Sequence, residues 1–196
     1  MSIDPKNKKL FFVLGSLGVM GMTKFLFVRH GEPDYSSVAE WARIPMGKNL
    51  AGLSENGKRQ IRNSSELLAK YDVDIIVSSP FTRTMQSAAI MSKQLNVDVE
   101  VERDLHEWQA DLTYSITDDK ELLMLCQEHD RMNGVYPSGE IKTWESTEMV
   151  RDRVLACLKK YCKYKCVVIS GHAMMMQAVL GITTPIDYGQ ILKFEM

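Results

Sequence analysis

Three short apolar runs constrain this chain more than anything else in it: "FLFV" at 25–28, the "IIV" of "DIIVSS" at 74–79, and "CVVIS" at 166–170. None of them alternates with polar residues. A continuous run of that length is the pattern of a strand covered on both faces, as in the parallel sheets of α/β proteins. Helical patterns separate the runs. "LSENGKRQIRNSSELLAKY" at 53–71 reads as a helix with Ser54 as N-cap and Ile61, Leu67 and Leu68 as its apolar face. After the second run, Pro80 suits the first turn of another helix, with Phe81, Met85, Ala88 and Leu95 close to one face. "VDVEV" at 97–101 alternates and reads as an exposed-face or edge strand. "DDKELLMLCQEH" is helical, and "NGVYPSG" at 133–139 is turn chemistry. Val150, Val154, Leu158 and Tyr161 mark a helix from about Glu145 to Tyr164, and Met176 and Leu180 mark another. "ILKFE" closes the pattern as a last strand. This alternation predicts an α/β fold, a three-layer α/β/α sandwich around a mainly parallel sheet.

The totals fit that reading. A chain of 196 residues can build one domain with a sizeable core. The formal net charge of −1 argues against a nucleic-acid partner, so any anion site must come from local geometry. Cys126, Cys157, Cys162 and Cys166 form no Cys-x-x-Cys pair and read as reduced thiols. At the start, "KNKK" precedes the 13-residue apolar run "LFFVLGSLGVMGM". That run is shorter than the roughly 20 residues a membrane-spanning helix needs, so no stable insertion is expected. Residues 1–21 read as a dispensable leader or an over-long start, and residues 22–196 as the single working domain. The expected location is cytoplasmic, or exported if 1–21 is a secretory signal.

The chemistry collects where strands end. The first run ends in Arg29-His30-Gly31, the second in Ser79-Pro80 with Arg83 one turn into the next helix, and the third in Gly171-His172. Ligands of open α/β sheets bind at the carboxyl ends of strands. Two guanidinium forks with two imidazoles suit a doubly charged oxyanion, and phosphate above all if helix N-termini at Pro80–Arg83 and after His172 also approach it. A neutral imidazole can attack phosphorus if its other nitrogen keeps its proton on an acceptor such as a backbone carbonyl. Gly31 would permit close backbone approach. Arg29, Arg83 and a protonated His172 would stabilise the spreading charge. A carboxylic acid must protonate the leaving oxygen, and Glu107 in "RDLHEWQADL" is the candidate, with Asp111 in reserve. His106 and His129 read as surface residues, and Met174, Met175 and Met176 as core packing. Substrate selection is expected from Glu32, Asp34, Tyr35, Trp41 and Arg43, and from Trp108, Arg131 and Tyr136.

With these residues in hand, the chain resembles the phosphoglycerate mutase-like branch of the histidine phosphatase superfamily. "VRHGEPDY" looks like its Arg-His-Gly strand end, and "LSENGKRQ" like its Leu-(Ser/Thr)-x-x-Gly-x-x-Gln helix start. "IIVSSPFTRTMQSA" resembles its Ser-Ser-Pro-x-x-Arg-x-x-Gln-(Ser/Thr)-Ala helix. "LHEW" stands where the family carries its proton donor, and "VVISGHAMMM" is similar to its second-histidine strand. The resemblance implies a phosphoglycerate mutase-like fold, with His30 as phosphorylated nucleophile. It implies Arg29, Arg83 and His172 as phosphoryl-binding groups and Glu107 as proton donor and then base. It implies no metal and no organic cofactor, and a small phosphorylated substrate as partner; a homodimer stays open. Ala173-Met174 replaces the glycines that often follow the second histidine. Mutase members usually carry an Asn after the nucleophile and a long insertion, and this chain has neither. The expected activity is therefore metal-independent phosphomonoester hydrolysis. A phosphoglycerate-type mutase and a catalytically silent phospho-ligand binding module are the alternatives.

Overall fold

A computed structural model of the chain describes residues 22–38 and 45–196. The leader reading of 1–21, and Trp41 and Arg43, lie outside the described residues. Among the described residues, the five strands are β1 (Lys24–Arg29), β2 (Ile75–Ser78), β3 (Val99–Val101), β4 (Cys166–Gly171) and β5 (Ile191–Glu195). They form one sheet in the order β3-β2-β4-β1-β5, parallel except for β5, which runs antiparallel to β1. The alternation of side chains along each strand sorts the apolar runs into two layers. Leu26, Val28, Ile76 and Val168 face α1 (Glu55–Leu68) and α2 (Thr82–Leu95), meeting Ile61, Leu68, Ala88 and Met91. Phe25, Phe27, Val77 and Ile169 face the other way, onto α4 (Thr147–Leu158) and α5 (Ala173–Leu180). The element α3 (Asp119–Arg131) packs against that second layer through Leu122, Leu125 and Cys126. The result is the expected α/β/α sandwich. No helix among the described residues is long and apolar enough to cross a membrane.

Several local expectations shift. Ser54 does cap α1, accepting from the Gly57 amide at 3.0 Å. Leu67, however, is 57% exposed, and the buried stripe of α1 is Gly57, Ile61, Ser64, Ser65 and Leu68. On α2, Met85 is 44% exposed, and the buried positions are Arg83, Thr84, Ser87, Ala88 and Met91. Pro80 stands two residues before that helix rather than in its first turn. The long helix expected over 145–164 is shorter: Ser146 caps α4, which gives way at Lys159–Tyr161 to a tighter 3-10 turn. β3 is an exposed edge strand, as its alternation indicated.

Two glycines set the approach of α1 to the end of β1. A Cβ on Gly31 would lie 2.3 Å from the Gly57 carbonyl oxygen, and one on Gly57 would lie 2.2 Å from the Glu32 carbonyl oxygen. The bare backbone at Gly31 thus serves helix packing. Nearby, Gln60 accepts from the Glu32 amide at 2.8 Å and Gln86 from the Leu53 amide at 2.7 Å, so both motif glutamines tie this turn to helices. Gly31→Ala should lower stability by about 3 kcal/mol through overpacking that backbone contact cannot relieve. A urea midpoint within error of the parent would refute the account.

Candidate active site

Register brings the polar strand ends together. Arg29 on β1 stands opposite Gly171 on β4, and Ser78 on β2 opposite Ser170 on β4. Neighbouring strands lie about 4.8 Å apart, so His30, Ser79 and His172 leave the sheet side by side. The His30 amide donates to the Gly171 carbonyl at 3.0 Å, and the Ser79 amide to the Ser170 carbonyl at 3.0 Å. The His30 and His172 ring centroids are 5.2 Å apart.

The tautomer of His30 follows from its contacts. Nδ1 lies 2.7 Å from the Gly31 carbonyl oxygen, which can only accept, so Nδ1 carries the proton. Nε2 is then the lone-pair nitrogen, and it accepts from Arg83 Nε at 3.2 Å. Burial first, and the Arg83 charge second, lower the His30 pKa to about 3, so the ring is neutral at physiological pH. His172 is fully buried. Its Nδ1 faces Arg83 Nη2 at 3.5 Å and must be the acceptor, which leaves Nε2–H to donate to Ser79 Oγ at 2.7 Å. Burial and then Arg83 hold its pKa well below the ordinary value. The protonated His172 expected from sequence is therefore corrected: enclosed beside a guanidinium, the ring is neutral.

Arg29 reaches across to the C-terminal loop. One Nη donates to the Ile186 carbonyl, and the guanidinium stacks over the Tyr188 ring at 4.0 Å. That same ring lies 5.6 Å from His30. Arg83 is itself buried, its pKa lowered chiefly by that burial. Among the described residues, the buried side-chain polar atoms with no partner are Arg29 Nε and Arg83 Nη1.

Glu107 accepts three backbone amides: Trp108 at 2.9 Å, Met175 at 3.0 Å and Met174 at 3.3 Å. The last two belong to the first turn of α5, so the carboxylate fills the helix N-terminus that had been expected to approach the phosphate. Burial still raises the Glu107 pKa against those donors. With Arg83, Phe81, Tyr35 and Trp108 it lines a cavity of about 220 Å³. Asp111 lines the same cavity, but its carboxylate is engaged by the amides of Thr113, Ser115 and Ile116, and these bonds with the Thr113 hydroxyl push its pKa down. An acid held ionised has no proton to give, which leaves Glu107 as the group at this wall suited to donate one.

Residues 25–196 match the profile of the histidine phosphatase superfamily, branch 1. The chain belongs to this family. It is accordingly an enzyme of the phosphatase kind. Among relatives of this histidine phosphatase is an uncharacterized phosphatase PhoE of Bacillus subtilis, 30% identical over 81% of this chain and 76% of its own length. Another is phosphoserine phosphatase 1 of Hydrogenobacter thermophilus, 24% identical over 88% of this chain and 82% of its own. The solved structure of a phosphoglycerate mutase from Bacillus anthracis superposes with a TM-score of 0.64 at 14% identity, covering 89% of this chain and 88% of the other, and supports the fold.

The structure of this histidine phosphatase also redistributes the residues expected to choose substrate. Tyr35 and Trp108 do line the cavity. Glu32 instead accepts from Ser54 Oγ at 2.7 Å and Asn56 Nδ2 at 2.9 Å, bracing the start of α1. Asp34 caps the turn at Tyr35–Ser37. Arg131 is exposed, its Nε bonded to the Gln127 carbonyl, and the Tyr136 hydroxyl donates to the Trp144 carbonyl. His129 is not a surface residue: its ring packs 4.7 Å from Trp108 and 5.1 Å from Trp144, centroid to centroid. His106 is half-buried, and burial lowers its pKa. Nothing in "TTPIDYGQIL" announces that the loop carrying Tyr188 folds back on β1; the turn residues Pro185 and Gly189 are the only trace.

The two neutral imidazoles give the fold a pH signature. Both folded-state pKa values lie below the unfolded value of 6.5. The unfolded chain therefore takes up protons first, and stability is full above pH 6.5 and lost as pH falls toward about 3. Within that window each imidazole contributes a slope of about 1.4 kcal/mol per pH unit. Urea midpoints should fall between pH 7 and 4, and His30→Asn combined with His172→Gln should flatten the curve. An unchanged slope in the double variant would count against neutral histidines.

Proposed function

We propose that this enzyme hydrolyses phosphomonoesters through a phosphohistidine on His30. One observation carries the reading: the two unpartnered guanidinium N–H groups, on Arg29 and Arg83, belong to side chains that surround a neutral His30. Buried donors are left without partners only at a cost, and such groups suit an anion. A phosphate oxygen accepts more strongly than imidazole and draws the Arg83 N–H away from His30 Nε2. The freed lone pair attacks phosphorus, the ester P–O bond breaks, and the Glu107 proton passes to the departing alkoxide. Water then gives a proton to the Glu107 carboxylate and attacks phosphorus. The P–N bond breaks, and its electron pair returns to Nε2. Arg29 and Arg83 hold the equatorial oxygens throughout. His172 stays neutral, accepting from Arg83 at Nδ1 and donating to Ser79 Oγ at Nε2, and so keeps that guanidinium in place.

The cavity beyond the phosphate position supports a leaving group with an apolar body. Phe81, Trp108, Ile116, Leu122 and Met174 contribute to its wall. Among the described residues its one lysine, Lys48, is paired with Asp119 at 2.5 Å. The test is hydrolysis of p-nitrophenyl phosphate with EDTA present, followed by acid and alkaline quenches of labelled enzyme. Turnover should persist, and the trapped label should be acid-labile and base-stable, as a phosphoramidate is. EDTA-sensitive turnover, a label stable to acid, or isomerisation of phosphoglycerate without phosphate release would each overturn the reading.

A further inference from the structure

Arg153 on α4 uses every N–H it has. Nε donates to Glu145 Oε1 at 2.8 Å, and Nη2 to Glu145 Oε2 at 2.9 Å and the Glu107 carbonyl at 3.3 Å. Nη1 donates to the Asp104 carbonyl at 2.7 Å and the His106 carbonyl at 3.0 Å. Five donors meet five acceptors, and a guanidinium has five to give. Three of the acceptors are main-chain carbonyls of one short loop, 104–107, and the last of them is that of Glu107. Glu145 closes the arrangement from the other side. Its Oε2 accepts from the Gln109 amide at 2.9 Å, and its carbonyl accepts from Trp108 Nε1 at 2.7 Å. The Glu145 amide donates to the Gln109 carbonyl at 2.9 Å. Both side chains are well covered, at 15% and 5% exposure.

A pair of this kind is expensive to desolvate, and a packed apolar pair is often no less stable. Its presence here therefore asks for a use other than stability. What it holds is the main chain on both sides of Glu107, whose carboxylate lies against α5 and lines the cavity with Arg83. Lysine could keep the charge but could not span three carbonyls and a bidentate carboxylate.

We propose that Arg153, held by Glu145, is a positioning residue that aims the Glu107 carboxyl at the leaving-group oxygen. The inference rests on the reading of Glu107 as proton donor. Its signature is a dependence on the leaving group. p-Nitrophenolate departs without help, whereas the alkoxide of benzyl phosphate must be protonated as it leaves. General-acid catalysis contributes about 10²–10⁴-fold, and only the second substrate feels its loss in full.

The experiment measures kcat/KM, which reports the steps through phosphoenzyme formation, on both substrates with full-length protein. Glu107→Gln should lower benzyl phosphate at least tenfold more than p-nitrophenyl phosphate. Arg153→Lys should show the same split at smaller size. The pair Arg153→Met with Glu145→Gln removes both buried charges at once and covers the case in which Arg153→Lys folds poorly. It too should split the substrates, with an unchanged far-ultraviolet circular dichroism spectrum. If Glu107→Gln splits the substrates while the Arg153 variants lower both equally, Arg153 is only structural and this inference falls alone. If Glu107→Gln lowers both equally, the proton-donor reading falls and takes the inference with it.

Discussion

His30→Ala should abolish phosphate release from p-nitrophenyl phosphate, by about 10⁴-fold or more, as loss of a covalent nucleophile does. On the proposed mechanism the side chain supplies the attacking lone pair at Nε2, and neither described neighbour can replace it. His172 Nδ1 faces Arg83, and its Nε2 holds the proton bonded to Ser79. Water reaching the same position would lack the geometry that Gly31 imposes on the ring through Nδ1. The fold itself should survive, since the variant removes a buried group that carries no charge and leaves the sheet hydrogen bonds at His30 N in place. Steady-state rates and a urea titration together decide the matter. A variant that keeps its urea midpoint and more than a tenth of its turnover would remove His30 from the chemistry.

Arg83→Met should be the converse case, a protein as stable as its parent that barely turns over. Arg83 is buried, its Nη1 has no partner among the described residues, and burial lowers its pKa. An unsatisfied buried donor costs roughly 1–3 kcal/mol, more when it is charged. Methionine follows the aliphatic stem without that cost, which offsets the loss of the bonds to His30 Nε2 and His172 Nδ1, so the urea midpoint should stay level. Turnover should fall about 10³-fold, because the proposed mechanism then lacks one of its two groups for the equatorial oxygens. Sites that must grip a charged transition state commonly hold such a cost in reserve. A variant that loses stability by more than about 2 kcal/mol would show that Arg83 is a structural cation after all.

The sheet was legible because its strands are covered on both faces, which leaves continuous apolar runs that nothing else explains. The site was legible for a related reason: parallel strands aligned in register deliver their last residues to one edge, so Arg29, His30, Ser79 and His172 could be gathered without knowing a distance. The helix faces misled where hydroxyls stand in for apolar groups. Ser64, Ser65 and Ser87 return their hydroxyl protons to carbonyls four residues back, at 2.9, 2.8 and 2.7 Å, and so pack inward as small side chains. A pattern built on Leu67 and Met85 misses them. The charge state of His172 was not legible, because burial and the nearness of Arg83 set it. Nor was the pairing of Arg153 with Glu145, which leaves Glu145 before the cap of α4 rather than inside a longer helix.

The order of the sheet has a bearing on how the enzyme is made. β1, the earliest strand, lies between β4 and β5, the two latest. Arg29 is gripped by residues of the loop before β5: its amide donates to the Gln190 carbonyl, its carbonyl accepts from the Gly189 amide, and its side chain reaches Ile186. On a ribosome, the strand that leads into His30 is therefore exposed long before its neighbours have been translated. Contacts so distant in sequence close slowly and late. On the proposed mechanism Arg29 can grip a phosphate only once β5 has emerged, so phosphatase activity should arrive with the assembly of these five strands.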